Sequence, residues 1–258
     1  MPLELDLTGR RALVTGAGQG VGRGIALALA AAGAAVVVND LVQERAEEVV
    51  DEIVAAGGAA VASAFDVTDH AAVASAVAAA GPVDVLVNNA GNAGVEGFGA
   101  RGPFVDSTPD QWAPYLRVNL DGVLSCTHAV LPGMIDAGWG RVITIVSDSG
   151  RTGDKHMAAY SAAKAGAAGF MRAIALEGGR HGITANCVAL GTIRTPATEP
   201  FWQDPENAAA RALLQRYVIR RPGSPEDVAP LVVLLASDAA SWITGQTYPV
   251  NGGFSFGL

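Results

Sequence analysis

The sequence predicts an α/β fold: a doubly wound parallel sheet of about seven strands, flanked by helices on both faces as a three-layer sandwich. Its strand candidates are short β-branched runs without polar alternation, typical of strands covered on both faces. Helical segments separate these runs, as right-handed crossovers between parallel strands require. The chain contains no internal repeat, low-complexity tract or linker, so a single domain spanning residues 1–258 is expected.

Each predicted strand is an apolar run bounded by residues that favour turns. The first, "RALVTG", ends in glycine, and the second, "AAVVVND", ends in asparagine and aspartate. In chain order, strands are predicted at residues 11–16, 34–40, 59–67, 83–91, 140–147, 182–189 and 246–250.

The segments between the strands are alanine-rich or amphipathic. "ERAEEVVDEIVAAGG" has one apolar face and ends in glycine, which commonly stops a helix. Pro114 is expected to break its helix, because proline lacks the N–H that an interior helical position needs. Helices are predicted at residues 20–32, 44–58, 69–80, 108–137, 157–180 and 225–236, with a further helical segment at 201–218.

The composition argues against several kinds of partner. The net charge is −8, whereas nucleic-acid binding depends on basic residues that contact phosphates. No run reaches the ~18 apolar residues of a membrane span, and the N terminus lacks a signal-peptide pattern. Cys126 and Cys187 are isolated, which favours reduced, buried thiols over a disulfide or a metal site. We expect a cytoplasmic protein that acts on a small molecule, without metal, nucleic acid or membrane.

A glycine-rich turn, "VTGAGQGVGRG", follows the first strand. Gly16, Gly20 and Gly22 have the spacing G-x-x-x-G-x-G. Glycines permit a tight turn and leave bare N–H groups at the start of a helix, where a pyrophosphate binds. The turn lies where a dinucleotide site is found in such sheets. The alternative is a glycine-rich helix entry that binds no ligand.

Asp40 closes the second predicted strand. A carboxylate at this position holds the ribose hydroxyls of NAD and repels the 2′-phosphate of NADP. Gln19, in the glycine turn, adds no compensating cation. Both residues favour NAD, although Asp40 could instead cap the next helix.

Tyr160 and Lys164 are spaced to share one face of a helix. Among the 17 basic residues only Lys155 and Lys164 are lysines, so Lys164 is expected where a compact ammonium is needed. A nearby ammonium favours the phenolate and lowers the pKa of a tyrosine, which makes Tyr160 a candidate general acid and base. Taken alone, the pair could be an ordinary surface pair.

Together these motifs resemble, over nearly the whole chain, the short-chain dehydrogenase/reductase family in its single-domain branch. "TGAGQGVG" (15–22) is similar to the family's cofactor loop, and "NNAG" (88–91) to its sheet-stabilising motif. "GTIRTP" (191–196) resembles its nicotinamide loop, and the segment from "GSPEDVAP" to "YPVNGG" its C-terminal region. Asn119, Ser147, Tyr160 and Lys164 match its four catalytic residues.

The resemblance implies a role for each of the four. Tyr160 would exchange a proton with the substrate oxygen, while Lys164 would lower the pKa of the tyrosine and bind the nicotinamide ribose. Ser147, thirteen residues before Tyr160 as in the family, would hydrogen-bond the reacting oxygen, with Ser149 as a rival. Asn119 would hold a water that links Lys164 to solvent. Singly, the serine could merely end a strand and the asparagine satisfy buried backbone groups.

The resemblance also implies the residues around the cofactor. Asp66 and Val67 would flank the adenine, and Asn89 would line its ribose. The backbone of Ile193 and the hydroxyl of Thr195 would hold the carboxamide. The cofactor-binding set is Gly16, Gln19, Gly20, Val21, Gly22, Asp40, Asp66, Val67, Asn89, Ala90, Gly91, Tyr160, Lys164, Ile193 and Thr195.

The substrate pocket, with Ser147 and Tyr160 at its base, is expected between residues 92–105, 148–157 and 192–217. Residues 192–218 are predicted to form a helical lid. Its candidate aromatic anchors, which could alternatively pack a subunit interface, are Phe201, Trp202 and Tyr217.

Two further features bear on the pocket. Arg151, Lys155, His156 and Arg194 could meet a carboxylate or the phosphates of an acyl-CoA, or could simply be solvated. Leu190 stands where the family usually has proline, which would loosen the following loop or reshape the pocket.

The predicted function is hydride transfer between NAD(H) and a secondary alcohol or ketone. The substrate is expected to be alicyclic, steroid-like or a hydroxyacyl compound such as a hydroxyacyl-CoA. The alternatives are a 3-oxoacyl-thioester reductase that uses NADP(H), and a non-catalytic NAD-binding regulator. The resemblance implies a homotetramer or homodimer.

Overall fold

The computed structural model describes residues 5–91 and 102–256. Seven strands are present in this part of the chain: β1 (Arg11–Val14), β2 (Ala35–Val38), β3 (Ala59–Ala62), β4 (Val85–Asn88), β5 (Gly140–Ser147), β6 (Ile183–Leu190) and β7 (Thr247–Val250). They form one sheet in the order β3-β2-β1-β4-β5-β6-β7, and all neighbouring strands are parallel. The predicted doubly wound parallel sheet is confirmed.

The described residues also contain ten α-helices. They are α1 (Gly20–Ala31), α2 (Gln43–Ala55), α3 (His70–Ala80), α4 (Pro109–Leu116), α5 (Gly122–Ala137), α6 (Ser149–Thr152), α7 (Ala158–Gly178), α8 (Glu199–Trp202), α9 (Ala208–Leu214) and α10 (Pro225–Ala236). None of these helices is long and apolar enough to cross a membrane.

Two apolar clusters, one on each face of the sheet, form the core. The first joins α1, α2 and α10 to the sheet and includes Ile25, Leu29, Ile53 and Leu235. The second joins α3, α5 and α7 to the opposite face and includes Val73, Val130, Met134 and Met171. In the described part of the chain, helices therefore cover both faces of the sheet, and the loops at the strand ends remain outside these two layers.

The strand order reverses between β1 and β4. Crossovers from β1 run outward to β2 and β3, whereas those from β4 run the other way to β5, β6 and β7. The loops after β1 and β4 therefore leave the sheet in opposite directions and open a crevice at the carboxyl ends of these strands, where ligands of such sheets bind.

Several strands stop earlier than predicted. The third was expected at 59–67 and ends at Ala62, and the fourth was expected at 83–91 and ends at Asn88. After β4 the main-chain N–H of Asn89 donates to the hydroxyl of Thr15, 3.0 Å away, rather than to a neighbouring strand. The residues beyond the strand ends thus belong to the loops of the crevice.

The predicted helix break at Pro114 is wrong. Helix α4 continues to Leu116, because the carbonyl that Pro114 leaves without a helical donor belongs to exposed Asp110, where water can replace the donor. The irregularity comes later, as a π-helical stretch at Arg117–Asp121. Asn119 lies within this stretch, and its side-chain amide donates to the carbonyl of Tyr115 in α4 at 2.8 Å.

The helical segment predicted at 201–218 consists of two short helices. Helix α8 ends at Trp202, and α9 begins only at Ala208, after Asn207, whose side chain caps it by accepting from the N–H groups of Ala209 and Ala210. Helix α6, directly after β5, was not predicted.

Both cysteines are free and buried, as expected. Cys126 lies in α5 and Cys187 in β6. Burial raises the pKa of both thiols to about 12, which keeps them protonated and unreactive at neutral pH.

Candidate active site

The glycine turn after β1 lies at the edge of the crevice, and its glycines are closely packed. Gly16 and Gly20 have φ angles of 61° and 57°, in the left-handed region that favours glycine. A Cβ on Gly22 would lie 2.2 Å from the carbonyl oxygen of Gly16 and 2.4 Å from Nδ2 of Asn89. The first turn of α1 can therefore lie directly against the β1 loop only because Gly22 has no side chain.

The N terminus of α1 is open. Its N-cap residue, Gln19, makes no side-chain cap hydrogen bond within the described part of the chain. The first-turn N–H groups of a helix have no intrahelical acceptor and attract anions. A glycine-lined turn that leads into such a helix start fits the pyrophosphate of a dinucleotide.

The side chains of Thr15, Asn39 and Asn89 support this turn through hydrogen bonds. The hydroxyl of Thr15 accepts from the N–H groups of Asn89 and Ala90, each at 3.0 Å. The Asn89 amide donates to the carbonyls of Thr15 and Gly16, and Asn39 accepts from the N–H of Gly16 at 3.3 Å. The amide of Asn89 therefore supports the loop, a role that the sequence did not indicate.

Asp40 lies next to the glycine turn at the end of β2. Its two oxygens accept from the N–H groups of Gly18, at 3.0 Å, and Val42, at 3.1 Å. The N-cap of α2 is Val42, so Asp40 does not cap that helix. A Cβ on Gly18 would lie 2.7 Å from Asp40 Oδ2 and 2.6 Å from the Cβ of Arg45, so the carboxylate of Asp40 and the Cβ of Arg45 flank this edge of the turn.

Asp66 and Val67 follow β3 on the same side of the crevice. The Val67 side chain is buried, and a Cβ on Gly122, at the start of α5, would lie 2.7 Å from its Cγ2. Asp66 is exposed and accepts from the N–H of Thr68 at 2.8 Å. Both predicted adenine-side residues therefore lie in the loop that joins β3 to α3, and Val67 in this loop packs against the start of α5.

The four predicted catalytic residues come from three elements. Ser147 ends β5, Tyr160 and Lys164 lie in α7, and Asn119 lies in the π-helical stretch. A Cβ on Gly91 would lie 3.1 Å from Oδ1 of Asn119 and 3.4 Å from Nζ of Lys164, so these two polar groups converge just beyond β4.

Lys164 is buried beneath this point. Its ammonium donates to the carbonyl of Ile145, two residues before Ser147, at 2.9 Å. It also lies 5.8 Å from the ring centroid of Tyr160. The ring of Tyr115 packs edge-on against the same tyrosine with centroids 6.0 Å apart. The Tyr160 ring therefore lies close to both an aromatic ring and a buried cation.

The two serines near the end of β5 have different surroundings. Ser149 is buried, and its hydroxyl is paired at 2.7 Å with that of Ser161 on α7. Ser147 is less buried, and its Oγ accepts from the N–H of Ser149 at 3.1 Å. Because that bond uses a lone pair of the oxygen, the hydroxyl hydrogen of Ser147 remains available as a donor. The geometry favours Ser147 as the group that meets a substrate oxygen.

Burial lowers the pKa of Lys164 to about 8, from an ordinary value of 10.5. The unfolded chain therefore binds more protons than the folded protein between about pH 8 and pH 10.5. The free energy of unfolding should rise with pH across this window, because the cost of the buried charge is full below it and absent above it.

This pH dependence is measurable by urea unfolding of the dinucleotide-free protein. We expect the wild-type protein to gain about 3 kcal/mol relative to Lys164→Met over this interval, because a pKa lowered by one pH unit corresponds to ~1.4 kcal/mol. The variant serves as the control for other groups that titrate at alkaline pH. A difference that stays constant with pH would contradict the burial of a charged Lys164.

The loop after β6 reaches over the glycine turn. A Cβ on Gly20 would lie 3.2 Å from Cγ2 of Thr195. The Thr198 hydroxyl donates to the Ile193 carbonyl at 2.9 Å and accepts from the N–H of Thr195 at 2.9 Å. Ile193 and Thr195 are thereby held opposite the start of α1, where the resemblance expects the nicotinamide.

Leu190 is the last residue of β6, directly before this loop. It remains paired with Ser147 on β5 and with Val250 on β7. The next N–H, of Gly191, donates to the Val250 carbonyl at 3.2 Å. Tyr217 is buried within the chain, where its hydroxyl donates to Oγ1 of Thr192 at 2.9 Å. This aromatic anchor therefore holds both ends of the 192–218 segment together.

The four candidate substrate cations differ in their partners. Arg151 donates to Asp148 at 2.8 Å, and Arg194 forms a two-bond pair with Glu199 at 2.7 and 2.6 Å. Their charges are therefore already balanced. Lys155 and His156 are exposed on the turn before α7. Of the predicted pocket segment 92–105, residues 92–101 lie outside the described residues.

Sequence reasoning missed several residues that support the site. Asn39 and Thr15 hold the glycine turn, Thr198 shapes the 193–198 loop, and Tyr115 packs on Tyr160. Their contacts are with segments distant in the chain, so no local pattern marked them. A local sequence signal for Asn39 was its position next to Asp40, directly after β2.

The geometry agrees with comparisons to known proteins. A family model described as Enoyl-(Acyl carrier protein) reductase matches residues 16–255. A 3-oxoacyl-[acyl-carrier-protein] reductase of Synechocystis sp. is 41% identical over 96% of this chain and 97% of that protein. The (2S)-[(R)-hydroxy(phenyl)methyl]succinyl-CoA dehydrogenase subunit BbsD of Thauera aromatica is 38% identical over 97% and 98%.

Solved structures are similar along their whole length. A gluconate 5-dehydrogenase from Burkholderia cenocepacia, in complex with NADP and tartrate, superposes with a TM-score of 0.90 at 35% identity. The match covers 99% of this chain and 98% of that one.

Proposed function

This chain belongs to the short-chain dehydrogenase/reductase family, and we propose that it transfers a hydride between NAD(H) and a secondary alcohol or ketone. The observation that carries the proposal is the buried Lys164 ammonium, which lies beside the Tyr160 ring and bonds the strand that ends at Ser147. A non-catalytic regulator would have no need to bury a cation next to a phenol.

The dinucleotide, when bound, supplies the hydride acceptor or donor, and the chain's residues position the reactants and move the proton. In the oxidation direction Tyr160 takes the hydroxyl proton of the substrate as a general base. The Lys164 ammonium favours the phenolate that this step requires. In reduction the same phenol returns the proton.

Ser147 and Asn119 complete the mechanism. The hydroxyl of Ser147, whose oxygen accepts from the Ser149 N–H, would donate its hydrogen to the substrate oxygen and stabilise the negative charge that develops there. Asn119, held by its bond to the Tyr115 carbonyl, lies with Oδ1 near the Lys164 ammonium and would hold a water that passes protons to solvent.

The cofactor preference follows from Asp40. Its carboxylate faces the glycine turn and would repel a ribose 2′-phosphate, so we expect higher kcat/KM with NADH than with NADPH. Asp40→Ala should reduce the ratio of kcat/KM with NADH to kcat/KM with NADPH by at least about tenfold, equivalent to ~1.4 kcal/mol. A general loss of activity cancels in this ratio.

Asp51→Ala, which removes an exposed carboxylate from α2, is the matched control and should leave the ratio unchanged. A wild-type preference for NADPH would instead support the second candidate, an NADP-dependent 3-oxoacyl-thioester reductase. That candidate is favoured by the similar acyl-carrier-protein reductase, by the NADP in the similar solved structure, and by Arg45 beside Asp40.

The proposed substrates are alicyclic, steroid-like and hydroxyacyl secondary alcohols. The similar CoA-ester dehydrogenase and acyl-carrier-protein reductase support the hydroxyacyl class. A screen of cyclic alcohols, hydroxysteroids and hydroxyacyl-CoAs for NADH formation tests the proposal directly. If the protein turns over no member of these substrate classes with either dinucleotide, the proposal is refuted.

We also propose a cytoplasmic homotetramer or homodimer, with residues 192–218 as a lid. Exposed apolar side chains, such as Leu176 at 86% and Trp242 at 99% exposure, support an assembly that covers them. The two free thiols fit a reducing compartment. The anchor at Tyr217 fits a lid that moves about fixed ends.

A further inference from the structure

The residue after Ser147 is a buried carboxylate that the mechanism above does not use. Asp148 is 3% exposed. Its Oδ1 accepts from Nη1 of Arg151 at 2.8 Å, and its Oδ2 accepts from Nδ2 of Asn251 at 2.6 Å. Its main-chain N–H donates to the Leu190 carbonyl at 3.0 Å. A buried carboxylate is retained only when it is paired and hydrogen-bonded in this way.

Both partners of Asp148 reach onward to the C-terminal segment, residues 251–256. Asn251 donates to the Ser255 carbonyl at 2.9 Å, and Arg151 donates to the Ser255 hydroxyl at 3.0 Å and to the Phe256 carbonyl at 3.1 Å. Through these hydrogen bonds Asp148 is connected to a segment that begins 103 residues further along the chain.

This segment lies against the base of the proposed lid. A Cβ on Gly191 would lie 3.1 Å from the Cα of Asn251. The ring of Phe254 packs on that of Tyr217 with centroids 5.0 Å apart. The N–H of Ile219 donates to the Gly252 carbonyl at 2.9 Å. The C-terminal segment therefore connects Asp148 to both ends of residues 192–218.

Asp148 also controls the surroundings of the Ser147 hydroxyl. It is the N-cap residue of α6, whose first residue, Ser149, donates its N–H to Ser147 Oγ. The Asp148 side chain does not cap α6; it is held by Arg151 and Asn251 instead. A shift of the main chain at Asp148 would therefore also move the Ser149 N–H that donates to the Ser147 hydroxyl.

We propose that Asp148 is a positioning residue, which locks the C-terminal segment 251–256 onto the end of β5 and thereby aims the hydroxyl of Ser147. The inference rests on the proposed function, because it assigns Asp148 an effect through Ser147. It adds that the C-terminal segment, far from the reacting atoms in sequence, is part of the machinery that orients them.

The test is a double-mutant cycle between Asp148→Asn and Ser147→Ala. The amide of Asp148→Asn would face two donors, Arg151 and Asn251, and can accept well from only one. We expect kcat to fall about 10²-fold, since small misplacements of reacting groups cost that much. NADH affinity, measured by fluorescence, should change less than about twofold. In the Ser147→Ala background the same change should cause no further loss of kcat.

Asn251→Ala tests the other end of the contact and should lower kcat similarly, with the same dependence on Ser147. If Asp148→Asn does not fold, the cycle is measured with Asn251→Ala. Arg10→Ala is the matched control, because it removes an arginine–aspartate pair, with Asp84 at 3.7 Å, at the amino ends of β1 and β4, opposite the crevice. Its kcat should equal that of the wild type.

The outcomes separate the two proposals. An unchanged kcat in both Asp148→Asn and Asn251→Ala would overturn the positioning role alone. Equal losses with and without Ser147 would also overturn it, since that pattern reflects a general structural effect. A fully active Ser147→Ala enzyme would refute the catalytic assignment of Ser147, and the inference with it.

Discussion

Tyr160→Phe is expected to lower kcat about 10²–10⁴-fold, the usual contribution of a positioned general acid or base. The phenylalanine ring keeps the edge-on contact with Tyr115 and the proximity to Lys164, so the fold and the cofactor site should persist. Only the atom that exchanges the proton is lost. Steady-state kinetics, with NADH affinity measured by fluorescence, separates these two effects.

Tyr248→Phe is the matched control for this substitution. It removes the same hydroxyl from a partly buried tyrosine in β7, away from the crevice, and should leave kcat unchanged. If Tyr160→Phe retains wild-type turnover, the tyrosine is not the proton carrier. The non-catalytic regulator would then regain support only if the wild-type protein also lacks turnover.

Gly22→Ala should weaken dinucleotide binding at least about tenfold, or ~1.4 kcal/mol. The new Cβ would lie 2.2 Å from the Gly16 oxygen and 2.9 Å from the Cα of Ala17, and both of these are backbone atoms. Backbone cannot rotate away as a side chain can, so the β1 loop and the start of α1 must separate. Overpacking of this kind also costs about 1–3 kcal/mol of stability.

Gly133→Ala provides the control for adding one methyl group in a helix. This glycine lies in α5, and a Cβ there would have no neighbour within 4 Å. The substitution should leave NADH affinity unchanged and stabilise the protein by up to ~1 kcal/mol, because alanine has the higher helix propensity. Titration of NADH fluorescence and urea unfolding test both variants. Equal affinity in Gly22→Ala and wild type would refute the close packing of the turn.

Much of the fold could be predicted from sequence because its signals are local. Strands buried on both faces need continuous apolar runs, and helices between them need a 3.6-residue period, so the alternation alone indicates a parallel sheet. The errors are at element ends. Pro114 is tolerated because the carbonyl it leaves unpaired is exposed, a condition that depends on the surroundings of α4.

The candidate site also has parts that local spacing encodes and parts that depend on tertiary packing. The Gly16–Gly22 turn and the Tyr160–Lys164 pair have fixed spacings within one turn or one helix, and the structure gives them the expected placement. The burial of Lys164 could not be predicted, because it depends on the packing of α7 against β5.

The sequence by itself determined the sheet, the cofactor turn and the spacing of the phenol and ammonium, since each is encoded within a short stretch of chain. Only the tertiary structure gave Ser147 and Ser149 different hydrogen-bond partners, paired Arg151 and Arg194 with acidic partners, and brought Asp148 to Asn251. The physical reason is that hydrogen-bond partners and desolvation arise where distant segments pack together, and no local periodicity records which segments will meet.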